Sequence, residues 1–504
     1  MTALPTPPAA TPGHPRRWVI LAVICLAQLV VLLDNTVLNV AIPSLTAELH
    51  ASTADIQWMI NAYSLVQAGL LLAAGNAADR YGRKRLLLTG LALFGAGSLA
   101  AGLAGSAGQL IAARAGMGVG GAMLLTCTLA VVMQVFDPSE HTRAIGVWAA
   151  VNALGFAGGP LLGGIVLDHF WWGAIFLINL PIALLALAAV VVLVPESRNP
   201  LGDRPDLIGA VLSTIGMAST VYAIISGPEH GWTSAHVVIP AAVGTVVLAV
   251  FAVYEARIPY PMLDMSFFRN PRFTGALCGA VLVTFGMGGS LFLLTQLLQF
   301  GLGHGPLEAG LRTAPFALTV VLVNFSGLGA RWSRRIGVPR SLGVGMGLLA
   351  AGLTGVALSG SDGYGGTLAG LVVMGVGVAL ANPAMAAAIM GAIPPEKAGV
   401  GAGVNGTVAE FGTGLGVAVL GAVLASATAA RLPFDGDSLP ATLAAHPGER
   451  DLILDAFASG VTAGLLVGAV AIAAGGLLAA WLLRRADARQ AAEQTAPAEA
   501  PQLT

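Results

Sequence analysis

Apolar runs of about twenty residues, separated by short polar stretches, recur along nearly the whole chain, and that is the length an α-helix needs to cross a bilayer. Fourteen such runs are read, near 18–41, 55–74, 86–105, 109–132, 143–165, 173–194, 206–226, 236–256, 274–297, 307–329, 340–358, 366–389, 399–427 and 460–483. The pattern predicts an all-α polytopic membrane protein. The run 399–427 is long for one crossing, and its glycines are expected to break or bend it. Residues 1–17 are Pro-rich and expected to be disordered on the cytoplasmic side, and 484–504 form a cytoplasmic tail. Arg16 and Arg17 before an apolar run resemble a signal peptide. The run is far longer than the about 7–15 residues of such a segment, so a retained first helix is expected.

Composition agrees with the pattern. Of 504 residues, 56% are hydrophobic and only 10% charged, against about 25% charged in soluble domains. The 67 glycines are nearly twice the usual share, as suits helices that approach closely where lipid gives no hydrophobic drive. Cys25, Cys127 and Cys278 all lie in apolar runs, so neither a disulfide framework nor a metal cluster is expected.

Net charge is uninformative, but its placement is not. With the N-terminus inside, the inner segments collect all Lys and Arg except Arg431 and Arg450 in outer loops, Arg312 near an outer helix end and Arg114 inside a run. Cytoplasmic loops carry the Lys/Arg excess, and an odd number of crossings would scramble that sorting. Fourteen spans with both ends cytoplasmic are expected. The long outer loop 428–459 is rich in Asp and Glu, as a solvated loop commonly is.

Within this frame Asp34 stands out. It closes an uncharged run that begins at Trp18, in the stretch Leu33-Asp34-Asn35-Thr36-Val37-Leu38-Asn39-Val40-Ala41-Ile42-Pro43. An ionised Asp at mid-bilayer costs about 2.5–3.5 kcal/mol, so such residues face a protein interior or wet cavity and usually serve function. Asp34 is thus a candidate proton carrier; a helix-end Asp that reaches water or caps a loop is the alternative. Glu410 is the other carboxylate deep in a run. It is read as a second proton site, a counter-ion for a cationic substrate, or a quiet partner for a neighbouring helix. Arg114 cannot readily lose its proton, which makes it a partner for an acid rather than a carrier.

A weak internal repeat pairs Asp79-Arg80-Tyr81-Gly82-Arg83-Lys84-Arg85 with Arg334-Arg335-Ile336-Gly337-Val338-Pro339-Arg340, with Arg, Gly and Arg in register. This predicts two pseudo-symmetric six-helix bundles, 18–194 and 273–483, with spans 7 and 8 and their flanks (195–272) inserted between them. Parallel repeats of this kind place the substrate site between halves that rock.

Four stretches resemble the fourteen-span drug:proton antiporters of the major facilitator superfamily. They are the Asp34 segment; the loop from Gly75 to Arg85; Arg114 with Gly118; and Gly155-x-x-x-Gly159-Pro160-x-x-Gly163-Gly164 in span 5. Phe176, Asn179 and Pro181, then Asp206, Gly209, Gly231 and Trp232, also look like this branch. The resemblance implies proton coupling through Asp34, Arg114 and Glu410. It implies a conformational latch at Gly75, Asp79, Arg80, Gly82 and Arg83, with Gly75 permitting close backbone approach and Asp79 pairing with a nearby Arg or a helix N-terminus. It links the span-5 motif to exporters, with Pro160 bending that helix. Three positions depart from the pattern: Met117 replaces a usual Gln, Gly173 stands where many relatives carry Arg, and so does Ala409.

The implied function is export of a lipophilic drug or antibiotic across the cytoplasmic membrane against inward proton flow. Transport of a lipid, amphiphile or endogenous metabolite, even inward, is the alternative. Asn39, Tyr63, Gln67, Asn152, Gln296, Asn324 and Asn405 are candidate cavity residues. No paired acidic or His/Glu metal motif suggests an enzyme, and no Gly-x-x-x-x-Gly-Lys-[Ser/Thr] loop suggests ATP drive. No metal, no cofactor beyond the coupling proton and no nucleic-acid partner is expected. The protein is expected to be a monomer in contact with the bilayer.

Overall fold

The structure is a computed structural model and describes residues 15–137, 140–198, 205–359, 364–393, 398–434 and 439–495. Long helices dominate: α1 Arg17–Leu49, α2 Thr53–Tyr81, α3 Arg83–Gly102, α4 Ala107–Val135, α5 His141–His169, α6 Ala174–Leu193, α7 Leu207–His230, α8 Ala235–Glu255, α9 Pro271–Gln296, α10 Pro306–Phe325, α11 Val338–Ser359, α12 Tyr364–Gly391, α13 Ala398–Ala429 and α14 Arg450–Thr495. Among the described residues, thirteen are long and apolar enough to cross a membrane; α5, with 29 residues, has several side chains outside the description.

Local sequence sets the boundaries. Ser52 and Asp55 form a reciprocal capping box at the start of α2, which satisfies two backbone N–H groups that the first turn leaves unpaired. Asn270 caps α9 ahead of Pro271, whose missing N–H costs nothing at that position. Between α2 and α3, Gly82 sits at φ +116°, and Gly337 at φ +84° occupies the matching junction between the short helix Leu328–Ile336 and α11. The two loops that looked alike in sequence therefore share a backbone turn.

Some expectations change. The glycines do not break α13, which runs as one helix; Gly412 and Gly416 let it lie against α9 at Thr284 and Phe285. The 428–459 segment is not all loop. It holds a short helix at Leu439–Ala445, and α14 already begins at Arg450, with Asp451 in its first turn where the helix dipole favours an acid. At its other end α14 continues to Thr495, so most of the expected tail is helical. The segment expected to be disordered lies outside the described residues up to position 14, as do 496–504.

Helices α1–α6 pack among themselves, as do α9–α14. Two seams join the groups, α5 on α10 and α2 on α13, and α7 covers the second by packing on both α2 and α13. α8 packs on α7 and turns Val238, Ile239 and Val246 outward. At the end away from the Arg-rich loops the groups meet directly, where Gln299 Nε2 donates to the Val40 carbonyl at 3.1 Å. At the basic end, α4 and α12 share no extensive packing among the described residues.

Candidate functional site

Two of the buried charges of the first bundle form a pair. Asp34 of α1 and Arg114 of α4 form an ion pair with 3% and 1% of their surfaces exposed. Burying two charges is costly unless their remaining hydrogen-bonding capacity is met. Here it largely is. Arg114 donates through Nη1 to Asp34 Oδ2 and through Nε to the Met59 carbonyl at 3.0 Å. Its guanidinium lies over the Tyr63 ring, 4.4 Å from the centroid, a favourable contact when desolvated. The second oxygen of Asp34 accepts from Asn179 Nδ2 at 3.2 Å, and the same amide donates to Ser98 Oγ at 3.2 Å. Five helices, α1, α2, α3, α4 and α6, are thus tied into one buried network around this carboxylate.

Small residues on α4 make the convergence possible. A Cβ on Gly118 would stand 2.6 Å from the Tyr63 carbonyl, and one on Gly121 2.7 Å from the Tyr63 hydroxyl. α2 can therefore lie close enough for its ring to reach beneath the guanidinium. Beside this centre the Tyr63 hydroxyl and both ends of Gln67 are buried without a hydrogen-bond partner, and the unpartnered amide oxygen of Asn61 faces Gly414 across the α2–α13 seam. Such atoms are costly unless water or a ligand meets them. Across the α2–α13 seam, half-buried Glu410 faces Ser64 of α2.

The span-5 motif lies along α1. Gly155 packs on Leu29 and Leu32, Gly159 on Thr36 and Gly163 on Val37. Gly164 turns to the other bundle, where a Cβ would meet the Leu307 backbone at 2.5 Å, and Gly310 of α10 abuts the Pro160 carbonyl. One small-residue face thus holds α5 between the Asp34 helix and the opposite half.

In the basic loop, Asp79 pairs with Arg83 one turn on, at 2.8 Å, and Arg83 also donates to the Ala130 carbonyl of α4 at 3.3 Å. Glu196, beyond α6, accepts from the Lys84 backbone at 3.2 Å and lies 3.7 Å from Arg85. A Cβ on Gly75 would meet nothing within 4 Å, so close approach is not what glycine supplies there. The close approach is at Gly82, against the Glu196 carboxylate.

The model of the Major Facilitator Superfamily matches residues 24–417. The chain belongs to this superfamily. It is 36% identical over 408 residues to the multidrug resistance protein Stp of Mycobacterium tuberculosis, covering 81% of this chain and 76% of that one. It is 36% identical over 424 residues to the multidrug efflux pump LfrA of Mycolicibacterium smegmatis, covering 84% of each. The cephamycin export protein CmcT of Amycolatopsis lactamdurans matches at 35% over 436 residues, covering 85% of this chain and 88% of that one. Among solved structures, an inward-facing bacterial homologue of the human lysosomal transporter Spinster superposes with a TM-score of 0.68 at 17% identity, covering 94% of this chain and 98% of that one. The protein is accordingly a multi-pass protein of the plasma membrane.

Seen as a superfamily member, the chain distributes its expected cavity residues unevenly. Tyr63 and Gln67 are fully buried beside the ion pair rather than lining open space. Asn39 is buried on α1, and Gln296 lines a cavity away from the ion pair. Asn324 is exposed on α10, near helix ends where neighbours thin out, and Asn405 is exposed on α13. The Asn152 side chain lies outside the described residues. Met117, in place of the usual Gln, turns away from the pair to pack at Gly97 of α3. Gly173 abuts the Gly102 backbone, which leaves no room for the Arg many relatives carry there.

Sequence reading gave no role to Ser98 or Glu196 and left Asn179 as a motif letter. It also missed a cavity of about 170 Å³ at the end remote from the basic loops, walled by Gln57, Phe292, Gln296 and Thr428 and roofed by the Leu439–Ala445 helix. That roof packs back from a segment whose polarity reads as loop. Among the described residues no cluster of three or more His, Cys, Asp or Glu is placed to hold a metal.

Proposed function

We propose that the protein exports lipophilic drugs or antibiotics from the cytoplasm in exchange for protons, by alternating access between two six-helix halves with both termini cytoplasmic. The observation that carries this reading is the Asp34–Arg114 pair, buried beside the unpartnered polar atoms of Tyr63 and Gln67 and held in a network that spans five helices of its bundle. In this reading protonation of Asp34 releases Arg114, and substrate and proton each favour one of two arrangements of the α5–α10 and α2–α13 seams. Glu410 contributes a second acid from the opposite half. That LfrA is an efflux pump and CmcT an export protein supports export over import. The loop from Asp79 to Arg85 acts as the latch of one arrangement, with Glu196 as its acceptor.

Purified protein in liposomes tests this. An imposed pH gradient drives uphill movement of a fluorescent lipophilic cation such as ethidium, and an uncoupler abolishes it. Equal uphill movement with and without the uncoupler contradicts the proposal.

A further inference from the structure

Outside the transport path, the basic ends of α11 and α14 form a groove on the outer wall of the bundle. On its floor the two helices lie close together, and a Cβ on Gly343 would stand 3.4 Å from the Ala480 Cβ. Its walls are apolar and open: Val344 is 41% exposed, Leu477 74% and Trp481 47%. In a membrane such walls face acyl chains. The mouth is different. Arg340, in the first turn of α11, and Arg484, one turn beyond Ala480 on α14, both line it, and both are exposed. Neither forms an ion pair with a carboxylate among the described residues, and no acidic side chain lines the groove. Arg485 stacks on Trp481, 4.0 Å from the ring centroid, which fixes the indole as a wall.

We propose that this groove binds one anionic phospholipid, its phosphate held between Arg340 and Arg484 and one acyl chain laid along Val344, Leu477 and Trp481. Charge complementarity selects the occupant. A zwitterionic lipid would bring its own cation to a mouth that already holds two guanidiniums, whereas phosphatidylglycerol brings only the anion they lack. Basic sites between helix ends on this side of a membrane suit anionic headgroups. The short helix Leu328–Ile336, with Arg331, Arg334 and Arg335 exposed beside exposed Leu328 and Trp332, extends the same basic surface toward the groove. A helix of that kind lies in the headgroup region. The proposal does not depend on what the protein transports.

The test is native mass spectrometry of detergent-solubilised protein titrated with phosphatidylglycerol or phosphatidylcholine. Wild type is expected to retain one phosphatidylglycerol in preference to phosphatidylcholine. The double variant Arg340→Gln/Arg484→Gln is expected to retain it about 30-fold more weakly, the loss of two near-surface cation–phosphate contacts. Arg257→Gln, which removes an exposed arginine at the same end but outside the groove, is expected to behave as wild type. If the double variant does not fold, each single variant serves, with a loss of about five-fold. Inorganic phosphate is expected not to displace the lipid, since it lacks the acyl chain. Equal retention of the two lipids by wild type, unchanged retention by the double variant, or an equal loss in Arg257→Gln would each overturn the proposal.

Discussion

A single amide connects α6 to the buried acid on α1: Asn179 Nδ2 lies 3.2 Å from Asp34 Oδ1 and 3.2 Å from Ser98 Oγ. Both acceptors are buried, so water does not replace the amide when it is removed. Asn179→Ala is therefore expected to slow ethidium efflux about ten-fold or more, since hydrogen bonds to charged groups contribute about 1.5–3 kcal/mol. Initial efflux rates at matched protein levels check this. An unchanged rate would make Asn179 packing only.

Arg114 and Asp34 should behave as one unit in stability. Arg114→Gln leaves a buried carboxylate unpaired, which costs about 3–5 kcal/mol. Arg114→Gln with Asp34→Asn removes both charges and should cost clearly less than the two single changes added together. Unfolding in detergent across the four proteins measures the coupling. Additive losses would show that the two side chains do not hold each other.

The α5–α10 seam gives a different kind of prediction. Gly164 meets the Leu307 backbone and Gly310 meets the Pro160 carbonyl, so neither contact can yield by a side-chain rotation. Gly310→Leu is expected to leave the protein in the membrane but to abolish efflux, because the halves can no longer close there. Gly75→Ala, at a position with open space, is expected to be close to wild type in both respects. Efflux retained in Gly310→Leu would remove this seam from the moving parts.

In the basic loop, stability and transport should separate. Asp79→Asn loses an exposed i, i+4 ion pair, worth about 0.5 kcal/mol or less, yet is expected to reduce efflux because the latch is lost. Gly82→Ala forces a side chain into φ +116° and against Glu196, and is expected to cost about 1–3 kcal/mol of stability as well. Thermal unfolding and efflux measured side by side distinguish the two.

The parts legible in the sequence share a cause. An intramembrane charge is so costly that Asp34, Arg114 and Glu410 could be singled out one by one, and twenty apolar residues in a row have few fates. Pairing across helices was less legible. Nothing in the spacing of Asn179 and Asp34, 145 positions apart, announces their contact. Tyr63 reads as a cavity candidate, and nothing in the sequence marks it as the ring beneath a guanidinium. Glycines were identified correctly as close-contact residues in span 5 but not in the loop, where the positive φ belongs to Gly82 rather than Gly75. Cavity residues were hardest: an Asn in an apolar run satisfies the same pattern whether it lines a pocket, pairs across a seam or, like Asn324, lies exposed.

The central claim is that Asp34 holds a proton which substrate displaces. The most direct measurement is proton release when ethidium is added to lightly buffered, purified protein. Wild type is expected to release about one proton for each ethidium bound, and Asp34→Asn to release none while keeping its fold. Release from Asp34→Asn equal to that of wild type would contradict the account.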